Sequence, residues 1–242
     1  MTIAGTGVVK LDRATIEGVD FRRASFEQFV PNGCVFLGCD FRGLTFDHRM
    51  AQLFASRLQS VFRDCRFDEA DLRRAGPGQS RFERCTFDGA RIEKWTSLCG
   101  EFIDCHFSGE IVESKFYGRP HGALATLLSP HRSINEFRGN DFTEVTLVDT
   151  AFVQGISFAD QRWPDDSAHV HLDRIHQRLQ RGRLAVLRWK DKDQRQDALQ
   201  VLLDLSERYG EQQEIVRRRL DPAARLPVQT QRQLWDLLAE PL

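Results

Sequence analysis

The 242-residue chain balances 35 acidic against 34 basic residues, for a formal charge of -1, and 41% of it is hydrophobic. That balance speaks against direct nucleic-acid binding, and no apolar run approaches the ~18 residues that span a bilayer. The opening Met1-Thr-Ile-Ala-Gly-Thr-Gly7 has neither the basic start nor the apolar stretch of a signal peptide, so a soluble cytoplasmic protein with no membrane partner is expected.

The first element is a repeat. Phe21-Arg-Arg-Ala-Ser-Phe26 is answered by Phe41-Arg-Gly-Leu-Thr-Phe46, then by Phe62-Arg-Asp-Cys-Arg-Phe67, Phe82-Glu-Arg-Cys-Thr-Phe87 and Phe102-Ile-Asp-Cys-His-Phe107. A hexapeptide returning about every twenty residues, with Phe at both ends, is the signature of a solenoid. Neither a helix nor an ordinary strand keeps every fifth side chain on one face. A chain that turns a corner every five residues does, and four sides make a coil of twenty.

On that grid the apolar positions run Leu11, Ile16, Phe21, Phe26, Phe36, Phe41 and Phe46. One extra residue enters before Phe62, after which the series reads Phe62, Phe67, Leu72, Phe82, Phe87, Ile92, Phe102, Phe107 and Val112. It weakens through Leu127 and recovers at Phe137, Phe142, Leu147 and Phe152. Two places before them sit small residues such as Ala24, Cys65, Ala70, Cys85 and Cys105, as a narrow interior requires. Phe62, Phe67, Phe82, Phe87, Phe102 and Phe107, with Cys65, Cys85 and Cys105, are therefore the expected core.

Over roughly residues 9–158 the chain resembles the pentapeptide-repeat family, whose motif has a central Phe or Leu and a small residue two places earlier, as in Cys65-Arg-Phe67-Asp-Glu and Ala70-Asp-Leu72-Arg-Arg. The resemblance implies a mainly β fold, a right-handed quadrilateral β-helix with Phe and small residues inside and Arg, Asp and Glu outside. Pro31, Pro77 and Ser97 fall where Phe or Leu is expected, so one or two corners should bulge out as loops near Pro31-Asn-Gly33 and Gly76-Pro-Gly78. Irregular segments are expected near 47–60 and 118–136. The second is either an extruded partner-binding loop, offering Leu124, Leu127, Leu128 and His131, or a degraded coil in register.

Cys65, Cys85 and Cys105, twenty apart, should stack at about 4.8 Å, the strand spacing. Thiolates from adjacent coils could hold zinc, but there is no CxxC pair, and small apolar thiols suit the interior, so reduced structural cysteines are expected. Phosphate-loop, GxSxG and HExxH motifs are missing from the sequence. Separations of two and five do not bring His169, His171 and His176 onto one helical face, and Asp165 and Asp166 read as helix caps. No catalytic, metal or cofactor site is expected.

The period changes near residue 159, where a small helical domain, 159–242, begins. Leu172, Ile175, Leu179, Gly182, Val186 and Trp189 form one apolar stripe from Asp166 onward. A second helix carries Ala198, Leu202, Leu205 and Tyr209. A shorter helix is expected through Ile215 and Val216, and a last one from Thr230, with Gln233 completing a capping box. Trp189, Trp235 and Leu238 are the expected docking or dimer residues, packing on the last coil or on a second copy of the chain.

These features point to a non-enzymatic binding scaffold with a protein partner. The family resemblance supplies the alternative, a protein that binds a type II topoisomerase (gyrase) and protects it from poisons by imitating duplex DNA. The near-even charge of both segments counts against whole-surface imitation. A secreted effector or immunity protein ranks third.

Overall fold

Successive turns of the chain face one another through their aromatic residues. The computed structural model describes residues 6–22, 24–46, 56–221 and 226–242. The irregular segment expected at 47–60 falls largely on residues outside these. Strands Val35–Leu37, Val61–Arg63, Arg81–Glu83, Glu101–Ile103 and Phe137–Arg138 pair in parallel, so that Phe36, Phe62, Phe82, Phe102 and Phe137 are direct neighbours. Beside them runs a second column in which Phe21, Phe41, Phe67, Phe87, Phe107, Phe142 and Trp163 stack face to face, with centroids 4.5, 4.8, 5.1, 4.7, 4.7 and 5.1 Å apart. Parallel strand spacing sets that repeat, and offset-stacked rings fit it. The chain is mainly β; among the described residues its sheets are parallel except for one antiparallel pair, and three α-helices follow.

Corners explain the period. Two residues after most inward side chains, though not after Phe26, Phe116 or Phe142, the backbone enters the left-handed region: Arg13, Asp64, Glu69, Arg74, Arg84, Lys94 and Asp104 have φ between 47° and 59°. Gly18, Gly38, Gly43 and Gly89 occupy the equivalent place, where glycine adopts such φ without steric cost. The interior is filled as the spacing predicts, with Phe62, Phe67, Phe82, Phe87, Phe102, Phe107, Cys65, Cys85 and Cys105 all buried.

Four expectations change. Pro31, Pro77 and Ser97 do not bulge out. Pro31 lies in strand Ser25–Asn32 opposite Leu11, and all three residues are buried. Phe29, two places before Pro31, enters the interior among Phe21, Phe36 and Phe41. Trp95, two places before Ser97, does the same against Phe87 and Phe102, its indole N–H donating to the Leu72 carbonyl at 2.7 Å. Large and small have exchanged places, which conserves interior volume. Second, Ile111 rather than Val112 takes the buried position, after a register shift between His106 and Ser108. Third, Phe36 pairs with Phe62, a separation of 26, so the chain inserts six residues rather than one before that turn.

The fourth correction concerns the C-terminal part. His169–Leu172 and Ile215–Arg218 are antiparallel strands, not helix. Val170 and Leu172 are buried and His171 between them is exposed, a period of two that the wider three-and-four spacing conceals. Helix α1 begins only at Ile175 and ends at Val186, α2 spans Lys192–Arg208 and α3 spans Val228–Ala239. Asp191 caps α2 by accepting the backbone N–H groups of Asp193 and Gln194. Thr230 caps nothing: it sits inside α3 and its hydroxyl donates to the Gln194 side chain at 3.1 Å. Gly182 lets α1 approach α3, since a Cβ there would lie 2.8 Å from Leu238.

Leu172, Ile175, Leu179, Val186, Leu202, Leu205, Tyr209, Leu234, Trp235 and Leu238 form a second core, which Tyr117, Ala151 and Val153 of the repeat region complete. Strand Ile215–Arg218 joins the two cores, with Ile215 in the helical one and Val216 in the aromatic one.

Candidate binding surfaces

Phe102 pairs with Phe137 at a separation of 35 residues, so fifteen residues leave the ladder between two paired turns. Segment 118–136 is thus an excursion and not a coil in register. Its base is fixed by the backbone. Gly118 has no room for a Cβ, which would meet the Gln154 carbonyl at 2.7 Å, and Asn135 N–H donates to the Gly118 carbonyl at 2.9 Å. The Asn135 side-chain amide donates to Leu98 and Tyr117 carbonyls at 3.0 and 2.8 Å. A 3-10 turn, Ala123–Leu127, forms the outward limb.

A group of charges clamps the returning limb. Glu101, whose side chain is only 5% exposed, accepts from Gln59 at 2.6 Å and from the Glu136 backbone N–H at 2.9 Å. Arg81 reaches Glu136 at 2.6 Å and Glu101 at 3.4 Å, and Arg132 donates to the Cys99 carbonyl and lies 3.5 Å from Glu101. Burial opposes ionisation of Glu136, but hydrogen bonds from Arg138 and Arg81 outweigh it and hold its carboxyl below the usual range.

The excursion presents Leu127, 70% exposed, and Ile134, 64% exposed, together with His131. Leu128 turns inward and is buried, so it anchors the loop instead of offering itself to a partner. The side chain of Leu124 lies outside the described ones. Ile134, Arg132 and Glu101 were not singled out by the sequence, where a pentapeptide grid marks only inward positions.

The thiols form a column. Cys65, Cys85 and Cys105 direct Sγ at the carbonyls of Phe36, Phe62 and Phe82 on the preceding turn, at 3.6, 3.3 and 3.5 Å. Burial pushes the Cys85 thiol well above its usual value. Among the described residues no group of three or more His, Cys, Asp or Glu is placed to hold a metal ion. The three histidines part company. His169 is buried, its Nε2 accepting the Leu147 N–H at 3.2 Å and its Nδ1 2.9 Å from Asp166. His171 reaches the Pro164 carbonyl at 2.8 Å, and His176 is exposed on α1. Asp166 caps a turn into a strand, accepting from Ala168 and His169 N–H groups, where a helix cap was expected; Asp165 is exposed.

Trp235 and Leu238 are buried within the helical core and are unavailable to a second copy; Trp189 is half-buried against the same core. The contact with the repeat region is polar as well as apolar. Asp149 accepts from Arg208 at 2.8 Å and Arg217 at 3.2 Å, and Gln212 spans Gly155 N–H and the Ile156 carbonyl.

Charge on the outer sides alternates in sign. The side built on Phe41, Phe67 and Phe87 carries Asp20, Asp40, Asp88, Asp141 and the buried Asp68 beside Arg22, Arg42, Arg66 and Arg162. Asp20–Arg22, Asp40–Arg42, Arg66–Asp68 and Asp141–Arg162 are ion pairs of 2.6 to 3.1 Å. On the neighbouring side Glu83 and Glu136 are bound by Arg63, Arg81 and Arg138.

No protein-family model and no curated protein matches the chain. Among solved structures it is similar to trypsin-treated QnrB1, a plasmid-mediated fluoroquinolone resistance protein, at 14% identity over 67% of this chain and 79% of that one, with a TM-score of 0.23. A likeness at that score carries no argument. No helix among the described residues is long and apolar enough to cross a membrane.

Proposed function

We propose that the repeat region is a right-handed four-sided β-helix of the pentapeptide-repeat kind, and that the protein is a non-enzymatic scaffold binding a protein partner through the excursion at 118–136. The parallel pairing of turns about twenty residues apart and the left-handed corner after most inward residues support the first part. One observation carries the second: a loop clamped at its base by Asn135, Arg132, Glu101 and Glu136 holds Leu127 and Ile134 in water. Ordering such a loop costs conformational entropy, and apolar side chains kept exposed on a rigid support are what a partner contact uses.

A topoisomerase protector acting by DNA imitation is the weaker reading, because imitation of a polyphosphate surface calls for a side dominated by Asp and Glu. Here arginines interleave with them and pair with them. Site-specific photocrosslinking from position 127 in cells, followed by identification of the adduct, tests the scaffold. Adding Ile134→Glu to the chain that carries the probe should abolish the adduct and leave the fold intact. If crosslinking yields none, and the purified protein instead protects gyrase from a poison in a supercoiling assay with Leu127→Glu plus Ile134→Glu fully active, the order of the two readings reverses.

A further inference from the structure

The helical hairpin carries a second surface, floored by Leu179 and Leu202 of the helical core. Helices α1 and α2 are joined by a five-residue turn and lie side by side, and the groove between their outer edges encloses about 530 Å³. Leu179, Leu199 and Leu202 line it, with Leu187 and Leu203 at its margins. Of these, Leu187 and Leu203 are 52% and 50% exposed, two of the eight large hydrophobics left exposed among the described residues. A clustered apolar patch of this kind marks an interaction site more often than scattered leucines do.

Its charge is one-sided. From Ile175 to Lys190 the chain has five basic residues, Arg178, Arg181, Arg183, Arg188 and Lys190, and no acidic one. Arg178 and Arg181 are occupied in binding the carbonyls that end α3 and follow it. Arg183 lines the groove, exposed and with no ion pair among the described residues, and His176 and Gln180 continue the same edge. The α2 edge contributes Gln196, Gln200 and Ser206, all uncharged. Gln180, Arg183 and Leu187 are spaced three and four apart, so they present one face.

We infer that this groove receives an amphipathic helix from another protein, its apolar stripe laid on the leucines and its flanks carrying Glu or Asp toward Arg183. A third helix packs into a two-helix groove at the 8–10 Å spacing usual between helices, and this mode reads its target through residues at i, i+3, i+4 and i+7. A second copy of the chain fits poorly, because the lining of its own groove has no acidic residue to meet Arg183. A flat anionic membrane would not enter a concave groove.

The test uses the full chain and a displayed library of sixteen-residue helical peptides with a fixed leucine stripe and randomised flanks. Binders should be enriched in Glu and Asp on the flanks. Their affinity, measured by fluorescence anisotropy, should fall at least tenfold with Leu203→Glu. The preference for acidic over basic flanks should disappear or invert with Arg183→Glu. Both sites are exposed, so each variant is expected to fold, as circular dichroism will verify. Lack of enrichment, neutral or basic flanks among the binders, or insensitivity to both substitutions overturns the assignment. So does binding to phosphatidylglycerol vesicles, or a concentration-dependent dimer, that the same substitutions abolish. The groove shares no residue with the excursion, so failure here leaves the crosslinking result from position 127 standing, and the reverse.

Discussion

Truncating Phe87 to alanine removes a ring that is 1% exposed and touched on every side. Phe67 lies over one face at 5.1 Å and Phe107 over the other at 4.7 Å, while Phe82, Phe102 and Trp95 meet it edge-on at 5.6, 6.3 and 6.3 Å. Burial of a phenyl ring and the cavity left by its loss together cost about 3–5 kcal/mol in ordinary cores. Two features place Phe87 near the upper end. Its stacked neighbours each forfeit about 0.5–1.5 kcal/mol of ring contact. The surrounding backbone is also held in hydrogen-bonded register, with Phe67 N–H donating to Thr86 and Glu69 N–H to Asp88, so the walls cannot close on the void. A loss of about 4–5 kcal/mol is expected from urea melts followed by far-UV circular dichroism, with m unchanged. Phe137, 7% exposed near the end of its column, should cost less on the same truncation. A loss under about 1 kcal/mol at Phe87 would refute the stacked interior, since no fully buried aromatic in a rigid wall is that cheap to remove.

The corners offer a backbone test. Gly38 has φ 57° with open space around a new Cβ, so Gly38→Asn should be nearly neutral and Gly38→Val should cost about 1–2 kcal/mol in the same melts. Replacing His169 by Phe leaves the buried Leu147 N–H without its acceptor; a loss of about 1–3 kcal/mol and faster hydrogen exchange at that amide are expected. The carboxyls of Glu83 and Glu136 titrate below their ordinary 4.5, where burial is outweighed by hydrogen bonds from Arg63 and Arg81 at Glu83 and from Arg138 and Arg81 at Glu136. A depressed folded value means stability that is present above the unfolded value and disappears as pH falls through the folded one. Arg81→Met should therefore flatten the acid limb of the stability curve below about pH 4.5, an effect read from urea midpoints between pH 6 and 2.

Much of the interior was legible because a five-residue period has few physical solutions, and the Phe and Cys positions followed from it. Two exchanges were legible but unread. Phe29 before Pro31 and Trp95 before Ser97 put the large residue where a small one belongs, and reading the two places as a pair would have predicted an even wall. The left-handed corners were hidden, because Arg, Asp, Glu, Lys and Gly share there only a φ angle and no chemistry. In the C-terminal part four-residue strands were too short to compete with helical readings that ran through Leu172 and through Ile215 and Val216. The excursion was half legible: loss of register marked its place, but grid arithmetic put Leu127 inside, and only the return limb reveals that Leu128 is the anchor.

The ladder resumes in register after detours of six and fifteen residues, and this bears on how such a protein acquires new binding specificities. The strands on either side of the longer detour pair directly with one another, and its limbs are tied to the wall through Leu128, Arg132, Asn135 and Glu136. Closing a longer detour costs only about 0.6 kcal/mol for each doubling of its length. Foreign peptides inserted in the 3-10 turn Ala123–Leu127, clear of Leu128 and Arg132, should then be presented at little cost to folding. Insertions at that position are a route by which one wall of stacked rings could have been fitted to successive partners.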